Sequence, residues 1–161
     1  QRDYAIFMVL LQCGCRASEL TGITIDSIDL KARTLRVYGK GSKERIVPLT
    51  WRTLRALEDY LAVRKPKVET DTLFLNDMGG PLTYEVLRRI FHDNVNRSPL
   101  KGRNLTPHKL RHTCLTLLMQ AGVDIRTVQE IAGHSNIATT QIYTHVSIER
   151  AKAEMKKHPL G

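Results

Sequence analysis

Residues 3 to 12 are almost continuously apolar and form too long a run for an ordinary strand, so they predict a buried helix ending near Gly14. A second helical stretch, RASELTGI, follows. In SIDLKARTLRVYGKGSKERIVPL the pattern changes to short β-branched runs around a Gly/Lys turn, with Gly39 and Gly41 supplying permissive backbone. That reads as a hairpin pairing Thr34 to Tyr38 with Glu44 to Pro48. WRTLRALEDYLAVRK places Trp51, Leu54, Leu57 and Leu61 on one helical face, and TLFLN looks like one more short strand. NDMGGPLT is turn chemistry, and Leu87, Ile90, Phe91 and Val95 line the helix after it. Thr106 and Pro107 supply an N-cap and a first-turn proline for a helix that Gly122 ends. Asp124 caps another helix, stopped by Gly133. Ser135 or Asn136 can cap a short helix carrying Tyr143, and Ser147 opens a final helix halted by Pro159. The expected fold is mainly α with a small three-stranded antiparallel β-sheet, an α+β domain.

The length of 161 residues fits one domain able to bury a core without staples. Three cysteines, Cys13, Cys15 and Cys114, are odd in number and include a CxC pair, so neither a disulfide framework nor a zinc ribbon is indicated. A reducing, cytosolic setting is expected. No apolar run approaches the roughly 20 residues needed to span a bilayer, and the N-terminus lacks a signal-peptide layout, so a soluble protein without a membrane partner is expected. The absence of an initial methionine before an apolar run reads as a fragment of something longer. A net charge of +9 adds the expectation of a polyanionic partner, because each neutralised phosphate releases condensed counterions.

Certain polar residues fit no structural pattern. His108, Arg111 and His112 fall at i, i+3 and i+4, on one side of a helix start where the backbone dipole is already positive. A wet helix end is the plain alternative, but a bound phosphate resolves the charge conflict better. The HxxxH spacing of zinc proteases is present, yet Lys109 stands where that motif has its glutamate, so no metal is expected. Arg16 leaves the first helix directly before a stretch containing Glu19, an arrangement that on its own suggests a weak surface ion pair. Lys40 and Lys43 sit at the hairpin tip, where a solvated turn is the plain reading. Tyr143, taken alone, is a packed aromatic.

Together these segments resemble the tyrosine recombinases, the family of phage integrases, transposon integrases and Xer recombinases. GCRASEL matches the first arginine box, YGKGSKERIVPL the lysine hairpin, TPHKLRHT the HxxR box and GHSNIATTQIYTHV the final box, in family order along nearly the whole chain. The resemblance implies a catalytic domain, residues 1–161, without the N-terminal core-binding domain that completes a clamp on DNA. It carries six positions: Tyr143 as nucleophile, Arg16, Arg111 and His134 as stabilisers of the phosphate charge, Lys40 as general acid and His108 as general base. Lys40 follows Gly39 directly, which favours it over Lys43. Lys43, Arg45 and Lys109 are expected to contact DNA. Cys114, where the family often has a large aromatic, and Leu117, where many members are polar, are the unusual positions; His112 and His145 are read as structural. The implied reaction cleaves and rejoins DNA through a 3′-phosphotyrosine, without cofactor or metal. Expected partners are double-stranded DNA and other protomers, reached through a C-terminal helix with Ile148, Ala151 and Met155 on one face, in the cytoplasm at the nucleoid. A type IB topoisomerase, an idle DNA-binding module and, more distantly, a metallohydrolase are the alternatives.

Overall fold

The computed structural model describes residues 1–39, 43–133 and 151–159. Helix α1 (Arg2–Cys13) is the axis of the molecule, burying Ala5, Ile6, Met8, Val9, Leu10, Gln12 and Cys13 because its sequence offers almost no polar face. It ends where Gly14 takes the left-handed conformation, φ 60°, which a glycine adopts without penalty. A short helix α2 (Ala17–Thr21) and a 3-10 turn (Ile25–Ser27) lead into an antiparallel sheet ordered β1 (Ile28–Asp29), β2 (Thr34–Tyr38) and β3 (Glu44–Pro48). The hairpin has the expected limits. Leu35, Val37 and Val47 point into the core, while Arg36 and Glu44 face out.

Helices α3 (Trp51–Leu61), α4 (Tyr84–Asn96), α5 (Pro107–Gln120) and α6 (Ile125–Ala132) complete the described core, with α3 and α5 packed against α1. Each begins on a side-chain cap: Thr50, Thr83, Thr106 and Asp124 accept hydrogen bonds from the N–H groups of Thr53, Val86, Lys109 and Thr127. Gly133, φ 64°, stops α6 as expected.

Two expectations change. The segment TLFLN is no strand of the sheet; it makes only isolated bridges, Thr24 with Thr72 and Leu75 with Pro81, and β1 supplies the third strand instead. Leu73, Phe74 and Leu75 are all buried, and side chains of the preceding helical region occupy their backbone. The Tyr60 hydroxyl donates to the Leu73 carbonyl at 3.2 Å and accepts from the Leu75 N–H at 3.0 Å, while Arg64 Nε donates to Leu73 at 2.9 Å. Side chains thus take some of the segment's backbone groups, and its backbone bonds to Ile23 and Leu82 are single contacts rather than a continuous ladder. Trp51 likewise leaves the predicted apolar face: it is 68% exposed, with the Arg33 guanidinium 4.7 Å from its ring centroid. Thr53, Leu54, Ala56, Leu57 and Tyr60 form the inward face of α3.

Helical residues 151–155 lie on their own domain, with Ala151, Met155 and His158 buried and the Gln12 amide nitrogen 4.0 Å from the Met155 sulfur. No described helix is long and apolar enough to cross a membrane. The proposed helix around Tyr143 and the start of the last helix lie outside the described residues.

Phe91 packs with its ring centroid 4.5 Å from that of Phe7 and is 1% exposed. Phe91→Ala is expected to cost about 3–5 kcal/mol in urea unfolding and Trp51→Ala under about 1 kcal/mol. Equal losses would contradict the outward placement of Trp51.

Candidate active site

The turn that leaves α1 carries Arg16, whose extended backbone caps α2. Its N–H donates to Glu19 Oε2 at 2.8 Å and its guanidinium donates from Nη1 to Glu19 Oε1 at 2.8 Å. Glu19 thus supplies one half of a capping box, accepting from the Arg16 backbone, and a charge pair with the guanidinium takes the place of the other half. The Arg16 side chain remains 45% exposed, whereas that of Glu19 is 4% exposed. What looked like a surface pair therefore has a buried acid.

Arg45 fills the other side of the same carboxylate. Its Nη1 and Nη2 donate to Oε1 at 3.1 Å and Oε2 at 2.8 Å, a fork-to-fork arrangement, and its Nε donates to the Ile131 carbonyl at 2.8 Å. Arg45 is buried, so its expected role as a DNA contact is corrected: its guanidinium is enclosed by Glu19 and the end of α6. Lys43 and Lys109 are exposed, where a DNA backbone could reach them.

Arg111 comes from the first turns of α5 and is also buried. Its Nη1 donates to the Gly14 carbonyl and its Nη2 to the Ala132 carbonyl at 2.8 Å. It thus ties the Arg16 turn to the end of α6. A guanidinium has five N–H donors, and these bonds use two of them, so Arg111 keeps donors for an incoming oxyanion.

The electrostatics are lopsided. Burial acts to raise the Glu19 carboxyl, but the hydrogen bonds and charge of Arg45, with those of Arg16, outweigh it and hold the group at about 2 rather than the ordinary 4.5. Burial, then the neighbouring charge of Arg16 and also that of Arg45, lowers the Arg111 guanidinium from its ordinary value. Two guanidiniums pair with one carboxylate, and a third, that of Arg111, lies near enough to feel the charges of all three groups; the excess positive charge suits an anion. Cys13, Cys15 and Cys114 are free, buried thiols. Burial pushes Cys114 up to about 12, and its sulfur donates to the Gln12 carbonyl at 3.4 Å. A small side chain suits this position, because Gly14 lies against it: a Cβ on Gly14 would stand 3.5 Å from the Cys114 sulfur.

His108 and His112 are exposed on α5, His108 one turn before Arg111. Lys40, His134 and Tyr143 lie outside the described residues, as does His145. The backbone flanking two of them converges on the arginine cluster. Gly39 donates to the Lys43 carbonyl at 2.7 Å, closing the hairpin neck, and a Cβ added to Gly39 would stand 3.4 Å from Glu19 Oε1. Gly133, directly before His134, lies against Arg45: an added Cβ would stand 2.8 Å from Nη1. Sequence reasoning missed Glu19 as a site residue. Its place three residues after an N-capping Arg16 was the available signal. Among the described residues no group of three or more His, Cys, Asp or Glu side chains could hold a metal ion.

Comparison with known proteins adds names to this geometry. The family model described as the phage integrase family matches residues 1–150. Tyrosine recombinase XerC of Pelobacter propionicus is 43% identical over 159 residues, covering 98% of this chain and 52% of that protein. The crystal structure of XerA recombinase superposes with a TM-score of 0.79 at 35% identity, over 96% of this chain and 56% of that one. The XerH site-specific recombinase bound to difH substrate in a pre-cleavage complex gives a TM-score of 0.72 at 31% identity, over 93% and 44%. The chain spans about half the length of the relatives it matches.

Glu19→Gln is expected to lower stability at neutral pH by about 3 kcal/mol, because it leaves Arg45 buried without its counter-charge. The folded-state carboxyl sits below its ordinary value, so its contribution is complete above 4.5 and is lost as pH falls through about 2. In urea melts across that range the gap between parent and variant should close as pH falls. A gap independent of pH would contradict an ionised Glu19.

Proposed function

The chain belongs to the phage integrase family, the tyrosine recombinases, and from that premise we propose that it acts as the catalytic domain of a site-specific DNA strand transferase. Its substrate is double-stranded DNA. Tyr143 attacks a backbone phosphorus, a 3′-phosphotyrosine bond forms and the 5′ oxygen leaves; a 5′ hydroxyl from another strand then attacks the phosphotyrosine and releases the tyrosine. The ester conserves the energy needed to rejoin, so no nucleotide cofactor enters.

The observation that carries this reading is the joining of Arg16 and Arg111 at one turn, through the Gly14 carbonyl, with positive charge in excess. As phosphorus becomes five-coordinate its non-bridging oxygens gain negative charge, and guanidinium forks match them without a metal. Arg16 is the exposed donor, nearly half open to solvent and aimed by Glu19. Arg111 is the fixed donor, held from behind by two carbonyls. In this reading His134 adds a further donor, Lys40 protonates the departing oxygen and His108 accepts the tyrosine proton. Lys43 and Lys109 neutralise nearby phosphates. Partner protomers engage through the C-terminal helix, whose described part rests on its own domain in the single chain, and the work is done in the cytoplasm at chromosomal DNA.

The test uses duplexes selected for binding from a random-sequence library, nicked so that cleavage traps the intermediate, in EDTA. A covalent protein–DNA adduct is expected, absent in Tyr143→Phe and formed roughly 100- to 1,000-fold more slowly in Arg16→Ala. Cleavage that requires added metal, or an adduct that persists in Tyr143→Phe, would overturn the reading.

A further inference from the structure

Arg45 occupies a place where the strand pattern asks for an apolar side chain. It is in phase with Val47 on β3 and pairs across the ladder with Val37, both fully buried. A fold gains little from such a charge, since a well-packed apolar residue in place of a buried ion pair is commonly neutral or stabilising. The reason for its presence is therefore to be sought in what it touches.

It touches three residues at once. Through Nη1 and Nη2 it fixes both oxygens of Glu19, the residue that aims Arg16. Through Nε it holds the Ile131 carbonyl near the end of α6. The flank of its side chain lies against Gly133, where an added Cβ would meet Nη1 at 2.8 Å and both Cδ and Cζ at 3.1 Å. Its own strand returns from the hairpin that carries Lys40, five residues earlier in sequence, and Gly39 at the neck of that hairpin lies against the same carboxylate.

We propose that Arg45 is a positioning residue of the strand-transfer site, coupling Gly39 at the hairpin neck and Gly133 at the stop of α6, the residues directly before Lys40 and His134, to the aim of Arg16. The proposal rests on the reading of Arg16, Lys40 and His134 as catalytic. Arg45 itself meets no phosphate; it sets the mutual placement of the groups that do. The planar fork explains the residue type: one guanidinium grips a carboxylate with two nitrogens and a carbonyl with the third, which a lysine ammonium on a flexible stem cannot reproduce in plane.

A second consequence follows from charge. Burial pushes the Glu19 carboxyl upward, and Arg45 is the main counterweight. Without Arg45 the carboxyl rises, takes up a proton at higher pH and releases its hold on Arg16. Loss of Arg45 thus raises the pH at which the anchor is lost.

The experiment compares parent, Arg45→Gln, Gly133→Ala and the double variant in single-turnover adduct formation on the nicked duplex, below each protein's melting transition. Arg45→Gln is expected to slow the adduct about 100-fold, the scale of a displaced catalytic group. Duplex affinity by fluorescence anisotropy should stay within about threefold of the parent, because a buried, paired guanidinium makes no phosphate contact. Its rate should also fall away from that of the parent on going from neutral to mildly acidic pH. Gly133→Ala removes no polar group and should slow the adduct by crowding the same guanidinium. In the double variant the two losses should fall well short of multiplying. A folded Arg45→Gln that forms adduct at the parent rate with the parent's pH profile, or losses that multiply fully, overturns the proposal alone. An absence of adduct in the parent overturns the functional reading and the proposal together.

Discussion

A single buried carboxylate, that of Glu19, is the constraint on which the described site depends. It accepts from the backbone and guanidinium of Arg16 and from both terminal nitrogens of Arg45. Two like unit charges about 4 Å apart repel by about 4 kcal/mol at an effective dielectric constant near 20, so guanidiniums gathered on one site need an intervening anion. Glu19 supplies it from below. The carboxylate is almost wholly buried together with Arg45 and Arg111, and Arg16, nearly half exposed, is the guanidinium of the cluster that reaches solvent. That exposure lets a cluster held together by an acid still attract a phosphate.

Arg111 solves a different problem. Its bonds to the Gly14 and Ala132 carbonyls neutralise nothing; they orient. A guanidinium held by carbonyls retains its full charge and cannot swing, which is the preorganisation that makes a donor effective as charge develops on a transferring phosphoryl group. The carbonyl of Gly14 is available because α1 stops in a left-handed turn, and that of Ala132 because α6 stops the same way one residue later. The last carbonyls of a helix have no partner within it, and here one from each helix receives the same arginine. Helix termination, often a matter of stability alone, is in this protein part of the construction of the site.

Much of this was legible in the sequence wherever the determinant is local. The hairpin limits, the caps at Thr106 and Asp124 and the stop at Gly133 follow from strand alternation and terminus chemistry, and they hold. TLFLN resembles an interior strand because its three middle residues are apolar, whereas Tyr60 and Arg64 take part of its backbone and Ile23 and Leu82 meet the rest in single bonds, a tertiary fact. Trp51 was misplaced because periodicity assigns a face, yet the first residue of a helix need not follow the face of the turns after it. The positions expected from the resemblance divide in the same way. Arg16 and Arg111 meet through Gly14, His108 lies exposed one turn from Arg111, and Lys40, His134 and Tyr143 belong to segments outside the described residues.

Arg45 and Glu19 show most clearly where sequence reading stops and what could extend it. In GSKERIVPL the arginine was assigned to DNA for its charge, but its parity with Val47 already put it on the inward face of the strand. A buried arginine needs a compensating acceptor, and the carboxylate three residues after Arg16 is an acid beside the first arginine box. Strand parity, applied to charged residues as strictly as to apolar ones, would have paired β3 with α2 before any coordinates. Burial alone does not decide what holds an arginine: Arg45 is buried against an acid and Arg111 against two carbonyls, whereas Arg36, out of phase with the core on β2, faces out beside Glu44.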